Sequence, residues 1–476
     1  MSEFTRDTLH RELSRSQGGL TTRTEYDRLG RLVKKDVFNG DAQRPAPRCW
    51  SRRRDFDYRN NLIREERDDN PFSQTLWQYD SAGRLLGQEG VQPGNGQWRW
   101  DAAGNPLERH AGAVSYNRVT QLNGIRWQYD VHGRTTEKDN GQVRWRYRYD
   151  GEHRLTEVLS EPYDRNRPPV RVSFQYDPLG RRISKTRQPL VQGRPGGKAV
   201  TTRFVWEGFR LLQEIQDGVP LTYVYSGAQS FEPLARIDGV DSPEIFWFHC
   251  AANGMPERLT DREGRISWEG VNGAWGKLLR ESALQTPGFA QNLRMQGQYL
   301  DRETGLHYNL FRYYDPDSGR FTQQDPIGLA GGLNLYAYAP NAFTWIDPLG
   351  LYKGEGERGL GKYHVFHEHT LNPSEYELSD AEHFRRGNQS VYERLNADAE
   401  FKREMQTKYP DLIEHVQPNS KGKFSKYSPP DMTWHHENKS GVLSLVDYDD
   451  HRSYHKIYHP DGSGGRKKWG GGSTCR

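Results

Sequence analysis

Apolar and polar residues alternate along much of the first 350 residues. The alternation is clearest at residues 98–100 (WRW) and 143–149 (VRWRYRY), where aromatic side chains share one face and arginines the other. A period of two places successive side chains on opposite faces of a β-strand. The pattern therefore predicts a sheet with one aromatic face and one arginine-rich face.

A short motif recurs at the ends of these runs. An aromatic residue and Asp are followed by a glycine turn and then Arg-Leu, which predicts a β-hairpin because Asp bonds the turn backbone and Gly accepts a positive φ. Neighbouring copies are mostly 20 to 29 residues apart and begin at Tyr26, Phe56 (degenerate), Tyr79, Trp100, Tyr129, Tyr149 and Tyr176. One such unit cannot bury its apolar face alone, so neighbours must stack into a repetitive β-sheet body. A plain β-meander without function is the alternative.

The motif resembles the YD repeats of the rearrangement-hotspot (Rhs) proteins. The resemblance is strongest over residues 299–351, which contain YLDRETGLHY, RYYDPDSGRF and two DPxGL copies. It implies a spiral β-sheet that closes into a hollow shell around the C-terminal segment. Residues 1–298 would form the YD-repeat shell and residues 299–351 the Rhs core module.

The two DPxGL copies place Asp325 and Asp347 22 residues apart. Two carboxylates brought together repel, so one should have a raised pKa and hold a proton, as in aspartic proteases. The Rhs resemblance implies that this pair cuts the chain between Leu351 and Tyr352. Alternatively, each Asp-Pro is only a turn and helix-cap signal.

Composition narrows the class of protein. Hydrophobic residues make up only 33%, but 12% aromatic residues are too many for a disordered chain, and a net charge of +4 is nearly balanced. There is no apolar run long enough for a transmembrane helix, no signal peptide after Met1 and no disulfide framework among three distant cysteines. We therefore expect a protein that is cytoplasmic in its producer and is exported without a cleavable signal.

Residues 352–476 have a different character. They contain 10 of the 16 histidines, with 19 basic and 19 acidic residues. The sequence after Ser379 predicts a helix that reaches about Leu395, and residues 397–408 predict a second. Five histidines scattered here are expected to be surface or capping residues: His364, His367, His369, His383 and His415.

The segment 433–459 carries the most specific pattern. Asn-Lys-Ser-Gly predicts a hairpin turn, residues 442–446 a strand, and Asp447 the cap of a helix on which every fourth residue from 451 to 459 is His. This strand-turn-strand-helix element can hold one divalent metal between hairpin and helix, and imidazoles suit zinc or a similar first-row ion. His435 and His436 are neighbours on a strand, so one can bind metal while the other reaches a water.

The segment from Trp434 to about Gly472 resembles the His-Me finger nucleases, in particular the HNH/endonuclease VII-like toxins with a Trp-His-His motif. The departure from the commonest toxin pattern is residues 460–463 (PDGS), which stand where His-Thr-Gly-Gly would follow the helix histidines. By position, the resemblance implies these roles: metal ligands His435, His451 and His455, general base His436, a ligand or phosphate contact at His459, and DNA-backbone contacts from Arg466, Lys467 and Lys468.

Together these features predict a mainly β repeat shell followed by a small α+β domain, residues 352–476, with a ββα-metal finger. The function expected is a polymorphic Rhs toxin: a metal-dependent DNA endonuclease that is self-cleaved after Leu351 and acts in the cytoplasm of competing bacteria. Its cofactor would be one divalent ion (Zn, Mg, Mn or Ni). Its partners would be DNA, a cognate immunity protein and components of a secretion system, commonly type VI.

Two alternatives stay open. One is a non-enzymatic YD-repeat surface or carbohydrate-binding protein with a structural metal-binding tail, and the other is an RNase that uses the same finger. Rhs effectors often carry a long N-terminal extension and membrane segments that this chain lacks, which suggests a truncated or orphan Rhs tail, or a toxin cassette held in reserve.

Overall fold

The structure is a computed structural model of the 476-residue chain. It describes residues 2–7, 11–40, 47–69, 73–90, 96–108, 113–227, 230–285, 289–351, 365–436, 441–448 and 451. The chain divides into two compact units, Met1–Gly359 and Leu360–Arg476. The prediction of a mainly β body followed by a small α+β unit is confirmed.

The first unit begins with an antiparallel sheet of nine strands in which each strand pairs with its neighbours in the chain. The strands are β1 (Ser2–Arg6), β2 (Glu12–Gln17), β3 (Leu20–Tyr26), β4 (Leu32–Asn39), β5 (Arg48–Phe56), β6 (Leu62–Arg67), β7 (Ser73–Tyr79), β8 (Leu85–Gly90) and β9 (Gly96–Gln97).

A second sheet of sixteen strands continues the same order, except that the short strand β17 pairs only with β16, and β18 also pairs with β16. Its strands are β10 (Gln121–Leu122), β11 (Ile125–Tyr129), β12 (Thr135–Asp139), β13 (Val143–Tyr149), β14 (Leu155–Pro162), β15 (Val170–Tyr176), β16 (Arg182–Val191), β17 (Arg194–Pro195), β18 (Val200–Glu207), β19 (Arg210–Gln216), β20 (Val219–Tyr225), β21 (Pro233–Asp238), β22 (Glu244–Cys250), β23 (Pro256–Thr260), β24 (Ile266–Asn272) and β25 (Leu278–Ala283).

The residues after β25 form a small sheet that packs on these strands. Its strands are β26 (Tyr299–Leu300), β27 (His307–Asn309), β28 (Arg312–Asp315) and β29 (Arg320–Phe321). Aromatic side chains of this sheet complete two cores: Tyr308 and Tyr313 pack with residues of β13–β15, and Tyr314 and Phe321 pack with Trp77 of the first sheet. The 299–351 module is therefore part of the core of the first unit.

The aspartate of the repeat motif closes each turn. In the clearest copy, Asp27 accepts hydrogen bonds from the backbone N–H groups of Leu29 and Arg31 at 2.9 Å, and its second oxygen accepts one from Arg31 Nε at 2.6 Å. Gly30, at φ +79°, follows the turn and allows the bulge that brings the next strand back into register. The degenerate copies place Asn60 and His153 at the same point with positive φ.

The arginine and the aromatic residue of the motif link each hairpin to the next. Arg31 Nη1 donates to the carbonyl of Asp57 in the following turn at 2.8 Å, and its guanidinium lies over the Phe56 ring. The hydroxyl of Tyr79, at the end of β7, donates to the carbonyl of Leu62, at the start of the preceding strand β6, at 2.7 Å. The predicted stacking of neighbouring units therefore rests on cation–π contacts and hydrogen bonds to the backbone as well as on apolar burial.

The second unit packs three helices against one face of a three-stranded antiparallel sheet with the order β30-β32-β31. Its elements are β30 (His367–Thr370), α1 (Asp380–Ala397), α2 (Ala399–Lys408), α3 (Pro410–His415), β31 (Met432–His436) and β32 (Val442–Asp447). The predicted cap is confirmed, since Ser379 Oγ accepts from the Glu382 backbone N–H. The predicted hairpin of β31 and β32 is confirmed as well, whereas the helix predicted after Asp447 lies almost entirely outside the described residues.

Apolar residues of the three helices, of β31 and β32 and of the positions that flank β30 make one core. It contains Val391 and Leu395 of α1, Met405 of α2, and Trp434 and Leu445 of the sheet. Among the described residues of the whole chain, no helix is long and apolar enough to cross a membrane.

Candidate functional site

The two histidines of the Trp-His-His motif lie next to each other near the end of β31, and each is 3% exposed. His435 Nδ1 lies 3.2 Å from Nε2 of His451, the last described residue. His436 Nε2 lies 3.0 Å from Nδ1 of His383 on α1. The strand therefore presents its two histidines to different partners, as the alternation of side chains predicts.

A cluster from helix α1 surrounds His436. His383 is fully buried, and Asp380, one turn earlier, places Oδ1 3.6 Å from His436 Nε2. His383 Nε2 lies 2.8 Å from the carbonyl oxygen of Glu375. Burial lowers the pKa of His383, so its imidazole is neutral at pH 7.

The indole of Trp434 anchors the strand to the same helix. Its Nε1 donates to Asn388 Oδ1 at 2.9 Å, and Asn388 Nδ2 donates to the carbonyls of Ser425 and Tyr427 at 3.0 and 2.8 Å. Gly387 lies against the indole so closely that a Cβ there would meet Cζ2 at 2.5 Å. These contacts fix how far β31, and with it the histidine pair, stands from α1.

The donor atoms fit a divalent metal ion. Two imidazole nitrogens bound to one tetrahedral zinc at about 2.0–2.1 Å would lie about 3.3 Å apart, close to the 3.2 Å between His435 and His451. Asp380, His383 and His436 form a second group, with ligand atoms within 4.8 Å of one another, that could also hold an ion. His435 and His451 belong to the finger predicted from the sequence, whereas Asp380 and His383 do not.

The structure places the other predicted residues only in part. His455, His459, Arg466, Lys467 and Lys468 lie outside the described residues. The expectation that the remaining histidines are surface or capping residues was wrong for His367 and His383, which are 8% and 0% exposed. Sequence reasoning missed Asp380 and His383 as site residues because their partner follows more than fifty residues later, and no local pattern marks the contact.

The DPxGL aspartates meet at a buried arginine. Arg312 Nη2 lies 2.9 Å from Asp325 Oδ2 and 3.6 Å from Asp347 Oδ2, and all three side chains are almost completely buried. The pKa of Asp325 is raised, as predicted for one of the pair, but the cause is burial, which Arg312 opposes, and not repulsion by the second aspartate. Arg312 was not predicted as part of this group.

The second aspartate is hydrogen-bonded to the backbone just before the predicted cleavage point. Asp347 Oδ1 accepts from the backbone N–H groups of Gly350 and Leu351 at 2.8 and 3.1 Å. Standard backbone dimensions then put the Leu351 carbonyl carbon within about 6 Å of this oxygen. Arg312 Nε donates to the Gly350 carbonyl at 2.5 Å. Tyr352, on the far side of the predicted cut, lies outside the described residues.

Three family models match the chain. RHS Repeat covers residues 117–162 and RHS protein covers residues 245–282, both within the sixteen-stranded sheet and its turns. The chain therefore carries Rhs (YD-repeat) domains. Residues 424–472 match a nuclease of the HNH/ENDO VII superfamily with conserved WHH, so the second unit carries a WHH nuclease domain in which Trp434, His435 and His436 are the conserved triplet.

Several curated toxins are similar to the chain. Double-stranded DNA deaminase toxin A of Burkholderia cenocepacia is 40% identical over 77% of this chain and 27% of its own length. Toxin protein Tse5 of Pseudomonas aeruginosa is 31% identical over 73% of this chain and 30% of its own length. The probable deoxyribonuclease RhsB of Dickeya dadantii is 31% identical over 73% of this chain and 24% of its own length. The chain thus spans about a quarter of the length of these relatives.

Solved structures show the same fold. The crystal structure of TcdB2-TccC3 matches with a TM-score of 0.59 at 19% identity, over 73% of this chain and 20% of that chain. The Photorhabdus luminescens Tc holotoxin pore matches with a TM-score of 0.59 at 18% identity, over 75% of this chain and 19% of that chain. Identities this low support the fold and nothing about activity.

Proposed function

We propose that the second unit is a metal-dependent DNA endonuclease that serves as the toxic part of an Rhs toxin. The observation that carries this proposal is the buried His435–His436 pair on β31, with His451 facing His435, inside the segment that matches the WHH nucleases. The names of the relatives include a deaminase as well as a deoxyribonuclease, so similarity over the repeats does not choose the chemistry. The histidine site is the reason to choose hydrolysis.

In this proposal His436 is the general base. It takes a proton from water, the resulting hydroxide attacks phosphorus, and the leaving oxygen takes a proton from solvent when its bond to phosphorus breaks. His435, His451 and His455 would hold the divalent ion, which supplies stabilisation of the negative charge that develops on the phosphate. Arg466, Lys467 and Lys468 would neutralise backbone phosphates, and His459 would be a further ligand or phosphate contact.

The test is plasmid nicking by the full chain, made by cell-free synthesis and freed of metal with a chelator. Supercoiled plasmid should be nicked after addition of at least one of Mg²⁺, Mn²⁺, Ni²⁺ or Zn²⁺. His436→Ala should abolish nicking and still bind metal, whereas His415→Ala, a half-buried histidine outside the cluster, should behave as wild type. A plasmid that stays intact with every metal would contradict the DNase proposal, and total RNA in a parallel reaction would then test the RNase alternative.

We also propose that the chain cuts itself between Leu351 and Tyr352. The raised pKa of Asp325 suits an acid that protonates the carbonyl oxygen, and Asp347, whose Oδ1 accepts from two backbone N–H groups next to the predicted cut, suits a base that takes a proton from water. The hydroxide adds to the Leu351 carbonyl carbon, the C–N bond breaks, and the Tyr352 nitrogen takes a proton. A cavity of about 510 Å³ borders Asp325, which gives water access to this member of the pair.

The cleavage proposal is tested on a denaturing gel. The wild type should give two fragments, and Asp347→Asn and Asp325→Asn should each give one uncut chain. Asp164→Asn changes an exposed turn aspartate and should leave cleavage intact. Two fragments from both active-pair variants would refute an aspartate mechanism.

The proposed biological setting rests on the similarity to toxins. We propose that the toxin acts in the cytoplasm of other bacteria after secretion, commonly by a type VI system, and that the producer is protected by a cognate immunity protein. Expression of the full chain in a recipient without immunity should arrest growth, and His436→Ala should remove the arrest. Equal arrest by both chains would favour the non-enzymatic alternative.

A further inference from the structure

Helix α1 reaches the histidine site from outside the segment that matches the nuclease family. His383 lies in the first turns of α1 and is fully buried, and its Nδ1 lies 3.0 Å from Nε2 of His436. The matched segment begins only at residue 424. The site therefore has a member that the Trp-His-His motif does not include.

The bond to Glu375 determines which nitrogen of His383 carries the proton. A carbonyl oxygen can only accept, so the 2.8 Å contact to Glu375 requires a proton on His383 Nε2. A neutral imidazole carries one proton, which leaves a lone pair on Nδ1. The 3.0 Å contact is then a hydrogen bond in which His436 Nε2–H donates to His383 Nδ1.

The hydrogen bond to His383 also fixes the tautomer of His436. With its proton on Nε2, neutral His436 has its lone pair on Nδ1. We infer that His383 is a positioning residue, which holds His436 in this tautomer and makes Nδ1 the atom that takes the proton from water. This inference rests on the proposed function, because it gives the proposed base its reactive atom.

Asp380 supports the same arrangement. Its Oδ1 lies 3.6 Å from His436 Nε2, the nitrogen that keeps its proton throughout. A carboxylate at this distance favours the positive charge that His436 acquires when it accepts a second proton. Helix α1 is held at the required distance by the contacts of Asn388 and Gly387 with the Trp434 indole. The helix thus orients the ring through one residue and stabilises its charged form through another.

The test compares His383→Ala and His383→Asn in the full chain with His415→Ala as a matched histidine control. His383→Ala should lower kcat by about 10- to 100-fold, the usual effect of losing a residue that orients a site histidine, and leave KM and metal affinity unchanged. His383→Asn keeps an acceptor close to the position of Nδ1 and should recover part of the rate. Loss of metal affinity in parallel with kcat would overturn the inference, because Asp380, His383 and His436 would then be ligands.

A second measurement does not depend on activity. Long-range ¹H–¹⁵N spectra of the metal-free full chain with ¹⁵N-labelled imidazoles at pH 8 report the tautomer of each ring, and the His436 signals are those absent in His436→Gln. The expected state is Nε2–H in the wild type, with a mixture in His383→Ala. Nδ1–H in the wild type, or no change in the variant, would overturn the inference. A chain that cuts no DNA but shows the expected tautomer would contradict the proposed function and leave the positioning role standing.

Discussion

Replacing Asn388 by alanine removes the side chain that ties helix α1 to strand β31. Asn388 is fully buried and makes three hydrogen bonds, one from the Trp434 indole and two to the carbonyls of Ser425 and Tyr427. The Trp434 side chain is buried, so its indole N–H loses its partner inside the core, whereas the two carbonyls lie in a partly exposed segment. The unsatisfied buried N–H costs about 1–3 kcal/mol and the two lost bonds to the carbonyls about 1 kcal/mol together, so the variant should lose about 2–4 kcal/mol of the free energy of unfolding of the second unit.

Hydrogen exchange measures this loss without separating the two units. Exchange of the full chain would be followed by mass spectrometry on peptides that cover α1, β31 and β32. When the second unit loses about 3 kcal/mol of stability, amides that exchange only through unfolding of the whole unit should exchange about 150-fold faster. The nicking rate should fall as well, because β31 carries both motif histidines.

Asn396→Ala is the matched control. Asn396 is exposed on the same helix, and within the described part of the chain its side chain bonds only the carbonyl of Tyr392, one turn earlier. Its loss should therefore change the free energy of unfolding by less than about 0.5 kcal/mol. If Asn388→Ala changed protection no more than Asn396→Ala does, the claim that Asn388 anchors the site would be refuted.

Three further predictions concern pH, charge burial and metal. Burial lowers the pKa of His367 to about 4, so as the pH falls the unfolded chain binds a proton at this histidine before the folded chain does. The free energy of unfolding of the second unit should therefore be highest above about pH 6.5 and fall by up to about 3 kcal/mol toward pH 4, and His367→Gln should reduce this slope in urea titrations. Arg182→Met leaves the Asp301 carboxylate buried and only partly paired, and should lower the free energy of unfolding by about 3 kcal/mol, as measured by hydrogen exchange on peptides of β16. Arg148→Met, which changes an exposed arginine, should leave that exchange unchanged. A metal at 100 times its Kd should stabilise the second unit by about 2.7 kcal/mol, and His435→Ala should remove most of that gain in thermal unfolding. The same gain in the wild type and in His435→Ala would mean that the ion binds elsewhere.

Features that the sequence predicted correctly depend on residues close together in the chain. The repeat turn is closed within five residues, from Asp27 to Arg31, so its chemistry can be recognised in a single copy. The helix start at Ser379 is equally local, because its cap bond spans three residues. The β31–β32 hairpin was predicted for the same reason.

Features that were missed depend on distant partners. Strand β30 has no apolar alternation, and it forms because His367–Thr370 pairs with β32 far later in the chain. The contact of His383 with His436 and the contact of Arg312 with Asp347 are likewise set by tertiary packing. Helix α3 was not predicted, although its first residue, Pro410, is compatible with a helix, because at the first position of a helix proline loses no hydrogen bond.

The arginine that joins one repeat turn to the next has a consequence for how such chains change over generations. In the three copies at Arg31, Arg84 and Arg134, the guanidinium bonds the aspartate of its own turn and a backbone carbonyl of the turn that follows. For this bond, a duplicated or deleted repeat has to match only the two repeats beside it, whereas repeats that pack on the 299–351 module, such as those of β13–β15, have to match that module as well. Gene rearrangements are therefore expected to change the number of repeats most readily where the repeats do not contact that module, and natural selection can adjust the length of the body there.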